Sequence, residues 1–239
     1  MLQQRRRTAP ALPVVTHVDG RAGTRTELSA VSLENAAAKI ANALRDEFEL
    51  ESGAVLGLRL PVHWQRAAWC AGAWTAGCAI DVQSDDVDLV VTTPQGAAAL
   101  GGTTRAPIVV VSLHPFGLPV DAALPPGVAD VTLAVRQQPD AYLFDPPTGA
   151  TPAWRESGAT ASQQEVLIRA RELAGAWGLG TTGTLLADER LAEADGWLAA
   201  LAVPLATGAS VVLASNVADL ESVVAQERVT ARAVSAARP

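Results

Sequence analysis

Short runs of β-branched residues alternate along the chain with segments whose apolar positions recur at helical spacing. Val14-Val15-Thr16-His17-Val18 and Arg25-Thr26-Glu27-Leu28 flank Asp19-Gly20, a strong turn signal, and predict an opening β-hairpin. Leu33, Ala37, Ile40, Ala41, Leu44 and Phe48 then share one helical face, with Glu34, Lys39, Asp46 and Glu47 largely elsewhere. The pattern predicts an amphipathic helix over 32–47 with Ser32 as its N-cap and Lys39 as a solvated residue. Residues 54–60 read as a mostly apolar strand that Pro61 stops.

Trp64, Trp69 and Trp74 are spaced so that they lie around a helix predicted over 61–76, not along one stripe of it. Arg66 is its only charge, so this helix is expected to be buried on most sides, with Gly77 ending it and 78–80 entering a strand. Residues 87–92 and 108–112 are further short strands, with a small helix expected between them. The stretch 113–152 is rich in Pro, Gly and Asp, and long loops with one short helix near 128–135 are expected there. Beyond it, Val166, Leu167, Ala170, Leu173 and Trp177 mark a second amphipathic helix over 162–177. A buried helix at 197–206, a strand at 210–214 and a helix at 219–226 complete the series. The fold class expected is α/β, a mostly parallel sheet flanked by helices. It is placed in a single domain over 13–232, between a disordered basic tail at 1–12 and a frayed tail at 233–239.

Composition narrows the function classes. With 239 residues, 49% hydrophobic and 18% charged, the chain has apolar surface enough for a substantial core and is not intrinsically disordered. A formal net charge of -7 repels a phosphate backbone, so no nucleic-acid partner is expected. Arg5, Arg6 and Arg7 are not followed by a continuous apolar run, which argues against a signal peptide. Residues 196–218 carry no charge, and roughly 20 apolar residues suffice to span a bilayer. Pro204 and Gly208 punctuate that stretch, however, and a buried helix, a turn and a strand describe it better. A cytoplasmic protein without a membrane partner is the expectation.

Several pieces, in order, resemble one family. Thr26-Glu27-Leu28 leads into AAAKIANALRDEFELESGAVLGLRLP, then AAWCAGAWTAGCAIDV, and later GWLAALAVPLATGASVVLAS followed by DLESVVAQERVT. Across roughly 13–230 these resemble the N-terminal lobe of the adenylate-forming (AMP-binding, acyl-CoA synthetase-like) enzymes. The likeness extends to a small group of truncated relatives from high-GC bacteria. The resemblance implies a Ser/Thr-Gly loop of the kind SGTTGxPKG, whose amides and hydroxyls wrap the phosphates of ATP. At the matching position, 154–162, only Ser157, Gly158 and Thr160 agree with it; the Pro-Lys-Gly end is missing and Glu156 adds a negative charge. Residues 81–88 are also short where the family inserts another helix. The family's adenine, ribose and magnesium contacts and its catalytic lysine fall further downstream, and Lys39 is the only lysine here.

The resemblance therefore implies a truncated relative that is expected to be non-catalytic, to need no cofactor and to act by binding or assembly. A homodimer or an unknown partner protein is expected to cover its apolar surface. The alternatives are a weak ATP- or AMP-binding protein using Ser157, Gly158 and Thr160, or a split synthetase completed by another chain.

Other constellations are weaker. Gly180-Thr181-Thr182-Gly183 looks like a phosphate loop but follows a helix, and a turn opening a strand is the expectation. Asp85, Asp86 and Asp88 suit a solvated turn better than a magnesium site, and no metal site is expected. His17, His63 and His114 show no ligand spacing, with His63 placed to cap or pack at a helix start. No G-x-S-x-G elbow occurs, so no catalytic residue is assigned. Cys70 and Cys78 cannot make a disulfide framework or a structural zinc site and read as small buried hydrophobes. His114-Pro115-Phe116-Gly117 ends a strand, where a turn outweighs a ligand loop.

Overall fold

In a computed structural model, which describes residues 2–100, 103–191 and 193–235, the basic N-terminus is helical. The disordered tail expected at 1–12 is corrected by α1 (Leu2–Thr8), where Arg5 and Arg6 find distant partners, while residue 1 lies outside the described residues. Arg5 donates to the Gly208 carbonyl, and Arg6 pairs with Glu34 at 2.7 Å. The hairpin follows as β1 (Pro13–Asp19) and β2 (Thr24–Ser29), which runs straight into α2 (Ala30–Asp46). Ser32 is therefore not the N-cap: Ser29 Oγ, at the strand end, accepts the Ser32 amide at 3.1 Å.

The chain continues through β3 (Val55–Arg59), α3 (Trp64–Ala76), β4 (Ala79–Asp81), β5 (Leu89–Thr92), α4 (Pro94–Leu100) and β6 (Ile108–Val110). Gly77 closes α3 at φ +80°, a conformation only glycine adopts without strain. The helix expected near 128–135 is a short strand, β7 (Val128–Asp130), followed by α5 (Thr132–Gln137). Asp130 makes the switch, because its carboxylate accepts the Thr132 amide at 2.9 Å. Then come β8 (Pro152–Glu156), β9 (Ala159–Ser162), α6 (Gln163–Ala176), β10 (Thr184–Asp188), α7 (Glu193–Ala200) and α8 (Ala202–Thr207). The series ends with β11 (Ser210–Ser215), α9 (Leu220–Gln226) and β12 (Ala231–Arg232). Gly208 at φ +84° turns α8 into β11, and among the described residues no helix is long and apolar enough to cross a membrane.

These elements cluster into two compact units. The first draws its described residues from Met1–Glu34, Pro61–Ala67 and Glu165–Pro239, the second from Asn35–Leu60 and Ala68–Gln164. In the first unit a sheet of order β12-β10-β11-β1-β2 is parallel except for the β1–β2 hairpin. Leu186, Val212, Ala214 and Val223 form a buried cluster there, with Val18, Leu220 and Val229 packed against it. The end of the chain is tied down as far as residue 234, because Ala233 donates to the Leu186 carbonyl and Trp177 Nε1 to the Val234 carbonyl. The frayed tail expected over 233–239 is thereby corrected at its start, and its residues 236–239 lie outside the described residues.

In the second unit the order is β7-β6-β5-β3-β4-β8-β9, parallel except for β8–β9. Leu56, Leu58, Trp69, Ile80 and Leu89 are fully buried in it. The mostly parallel α/β expectation holds, realised as two sheets.

Candidate functional site

The segment matched to a phosphate loop is a tight β-hairpin. Strand β8 continues the parallel sheet beside β4, with Asp81 opposite Arg155, and β9 returns antiparallel with Glu156 opposite Ala159. Ser157 and Gly158 are the two turn residues, with φ of 51° and 80°. Two consecutive positive φ values define the turn whose twist matches a hairpin. Both residues are exposed, as is Thr160, which lies opposite Arg155 on β9. The structure thus brings Ser157, Gly158 and Thr160 together at one exposed tip. Such a turn offers at most two central amides, whereas a polyphosphate cradle is built from a run of them.

Below this tip, the carboxyl ends of β3, β4 and β8 hold a polar cluster that the sequence does not announce. Asp81 accepts the Gln83 and Ser84 amides at 2.8 and 2.7 Å on one oxygen and Arg155 Nε at 2.8 Å on the other. Burial pushes its carboxyl upward, but the bonds from Ser84, Arg155 and Gln83 outweigh that and hold it below the ordinary carboxylate range. Arg59 donates to the Asp81 carbonyl at 2.7 Å and to the Ser84 carbonyl at 2.5 Å, and Arg155 also reaches the Asp86 carbonyl. The guanidinium groups at this edge are therefore engaged by the 81–86 loop. The only sequence signal for it is the brevity of 81–88.

A second cluster lies in the first unit. His17, near the end of β1, sets Nε2 2.9 Å from Ser215 Oγ at the end of β11, and its ring donates to the Val62 carbonyl. The His63 ring stands edge-on to it with centroids 4.4 Å apart, and Trp64 lies 5.4 Å beyond. His17, His63 and Ser215 are all buried. His63 Nδ1 accepts the Gln65 amide at 3.2 Å, so this residue both caps α3 and packs. Sequence spacing alone misses the pairing, because 45 residues, including α2 and β3, intervene between the rings.

The remaining candidates fall into structural places. Lys39, expected on a solvated face, is half-buried and binds the Gln138 carbonyl at 2.6 Å and Asp140 at 2.8 Å. Cys70 and Cys78 are buried, and burial with the nearby Asp88 charge pushes the Cys78 thiol up to about 12. Asp88 accepts the Val55 amide at 2.7 Å, and among the described residues no three His, Cys, Asp or Glu side chains gather to hold a metal ion. Gly180–Gly183 is a turn closed at 3.0 Å just before β10. His114 is likewise part of a turn, its Nδ1 accepting the Phe116 amide at 3.2 Å.

The fold has close counterparts. An acyl-CoA synthetase from Brucella canis superposes with a TM-score of 0.75 at 18% identity, over 95% of this chain and 45% of that one. Acetoacetyl-CoA synthetase from Streptomyces lividans gives 0.70 at 16% identity, over 90% of this chain and 37% of that one. The chain thus spans less than half the length of either synthetase, and at these identities the likeness is one of fold. The α/β architecture is that of the N-terminal domain of adenylate-forming enzymes. No family model matches the chain. A TIGR03089 family protein of Mycobacterium tuberculosis is 34% identical over 231 residues, covering 94% of this chain and 92% of the relative. The chain belongs to the TIGR03089 family.

Proposed function

We propose that this protein uses the acyl-CoA synthetase fold without its chemistry: a non-adenylating member that acts by binding or assembly. One observation carries the reading. Where the fold's phosphate-binding loop would stand between two strands, β8 and β9 are joined by Ser157-Gly158 alone, in a register that pairs Glu156 with Ala159. A triphosphate needs several converging amides or a free cation, and the arginines of this edge are already held by carbonyls and Asp81. Calorimetric titration with ATP and magnesium tests it. No heat is expected at millimolar nucleotide. Binding that disappears in both Ser157→Ala and Thr160→Ala would restore the nucleotide-binding alternative.

A further inference from the structure

The pair of buried imidazoles in the first unit has no part in the function proposed above. A neutral His17 that gives its one ring proton to the Val62 carbonyl leaves Nε2 to accept from the Ser215 hydroxyl. The neutral form of His63 is likewise required, since its Nδ1 accepts the Gln65 amide. One ring belongs to β1 and the other to the turn that starts α3, so their edge-on contact joins the 61–67 segment to the sheet. We infer that this contact is a proton-sensitive latch: charging the His17–His63 pair breaks the bonds that need neutral rings and frees the 61–67 segment from β1.

The surroundings favour that direction. Asp19 on β1 is the carboxylate coupled to His17, but it already accepts the Arg21 and Ala22 amides at 2.9 and 3.0 Å and Asn216 Nδ2 at 3.3 Å. Arg66, the charge of the 61–67 segment, has its guanidinium 4.3 Å over the Trp197 ring. Strand β11 carries no ionisable side chain. Burial therefore prevails over the Asp19 charge and the Val62 bond, and it lowers the affinity of His17 for a proton. The open state, with a free imidazole near 6.5, takes the proton first. Opening is thus promoted as pH falls below about 6.5 and receives no such pull above it.

Hydrogen exchange of the full chain, read by mass spectrometry at pH 7.5 and 5.5 and corrected for intrinsic rates, tests the latch. Peptides covering 61–67 and 14–19 are expected to lose protection at the lower pH, by at most about tenfold for one imidazole, while those of β3 keep theirs. In His17→Asn that pH dependence should vanish. If this variant does not fold, His63→Gln, which leaves β1 and His17 in place, should show a smaller pH-dependent loss over 61–67 than the wild type, since only His17 then contributes to it. Unchanged protection of 61–67 between the two pH values would overturn the inference. So would an equal loss in the wild type and in whichever of these variants folds.

Discussion

Asp81 accepts hydrogen bonds from Arg155, Gln83 and Ser84, and Arg59 fixes the same loop through its carbonyls. Asp81→Asn keeps the shape but removes the charge and one acceptor. It is expected to cost about 1–3 kcal/mol in urea unfolding, with less than additive loss in a double variant with Arg155→Met. Because the folded carboxyl is held below its ordinary value, its contribution is complete above about pH 4. That contribution fades as pH falls through the folded value, so wild type and variant should converge in stability in strong acid. At this scale the sequence is silent. Arg155 lies 74 positions from Asp81, and nothing local marks either as the other's partner. His17 and His63 are hidden for the same reason, their encounter being a product of sheet order. Cys70 and Cys78, by contrast, are legible, because a thiol without basic neighbours in an apolar run has little to do but pack.

Helices and strands were more readable, since the hydrophobic period that predicts them is also what packs them. The period says least at element ends, where one side chain decides: Ser29 in place of Ser32 at the start of α2, and Asp130 between β7 and α5. The hairpin β8–β9 is hard to read because its apolar positions do not alternate: Ala153 and Trp154 are buried in succession, and Ser157-Gly158 is the turn signal between the strands. The period also leaves close approaches unseen. In the second unit α2 and α3 meet at Gly72, where an added Cβ would lie 2.3 Å from Ile40 Cγ2. Gly72→Ala therefore gains helix propensity but overpacks, and a net loss of about 1–3 kcal/mol is expected. Adding Ile40→Ala should recover part of the loss from overpacking, and denaturant midpoints of the double-mutant cycle measure it. Additive single effects would contradict the packing argument.

At the scale of the whole molecule, the assembly proposed above has consequences for mass and its dependence on salt. Phe116 and Leu143 are 82% and 88% exposed in the second unit, apolar area that a second copy would cover in the proposed assembly. A formal charge of -7 favours an apolar or basic contact over an acidic one and makes self-association easier as salt screens repulsion. Light scattering at physiological salt is expected to give a dimer mass, falling toward the monomer at low ionic strength. A clean monomer at every salt concentration counts against assembly with a second copy.

The two-residue turn at Ser157-Gly158 also makes the β8–β9 tip a natural acceptor site for grafted sequence. Its flanking residues are already paired as neighbours, and the turn glycine has nothing within 4 Å of where a side chain would begin. Lengthening the connection from two to about nine residues adds only about 1.3 kcal/mol of closure entropy. A glycine-rich cradle transplanted there would test how far a nucleotide site can be restored by a loop alone, on strands that already hold its ends together.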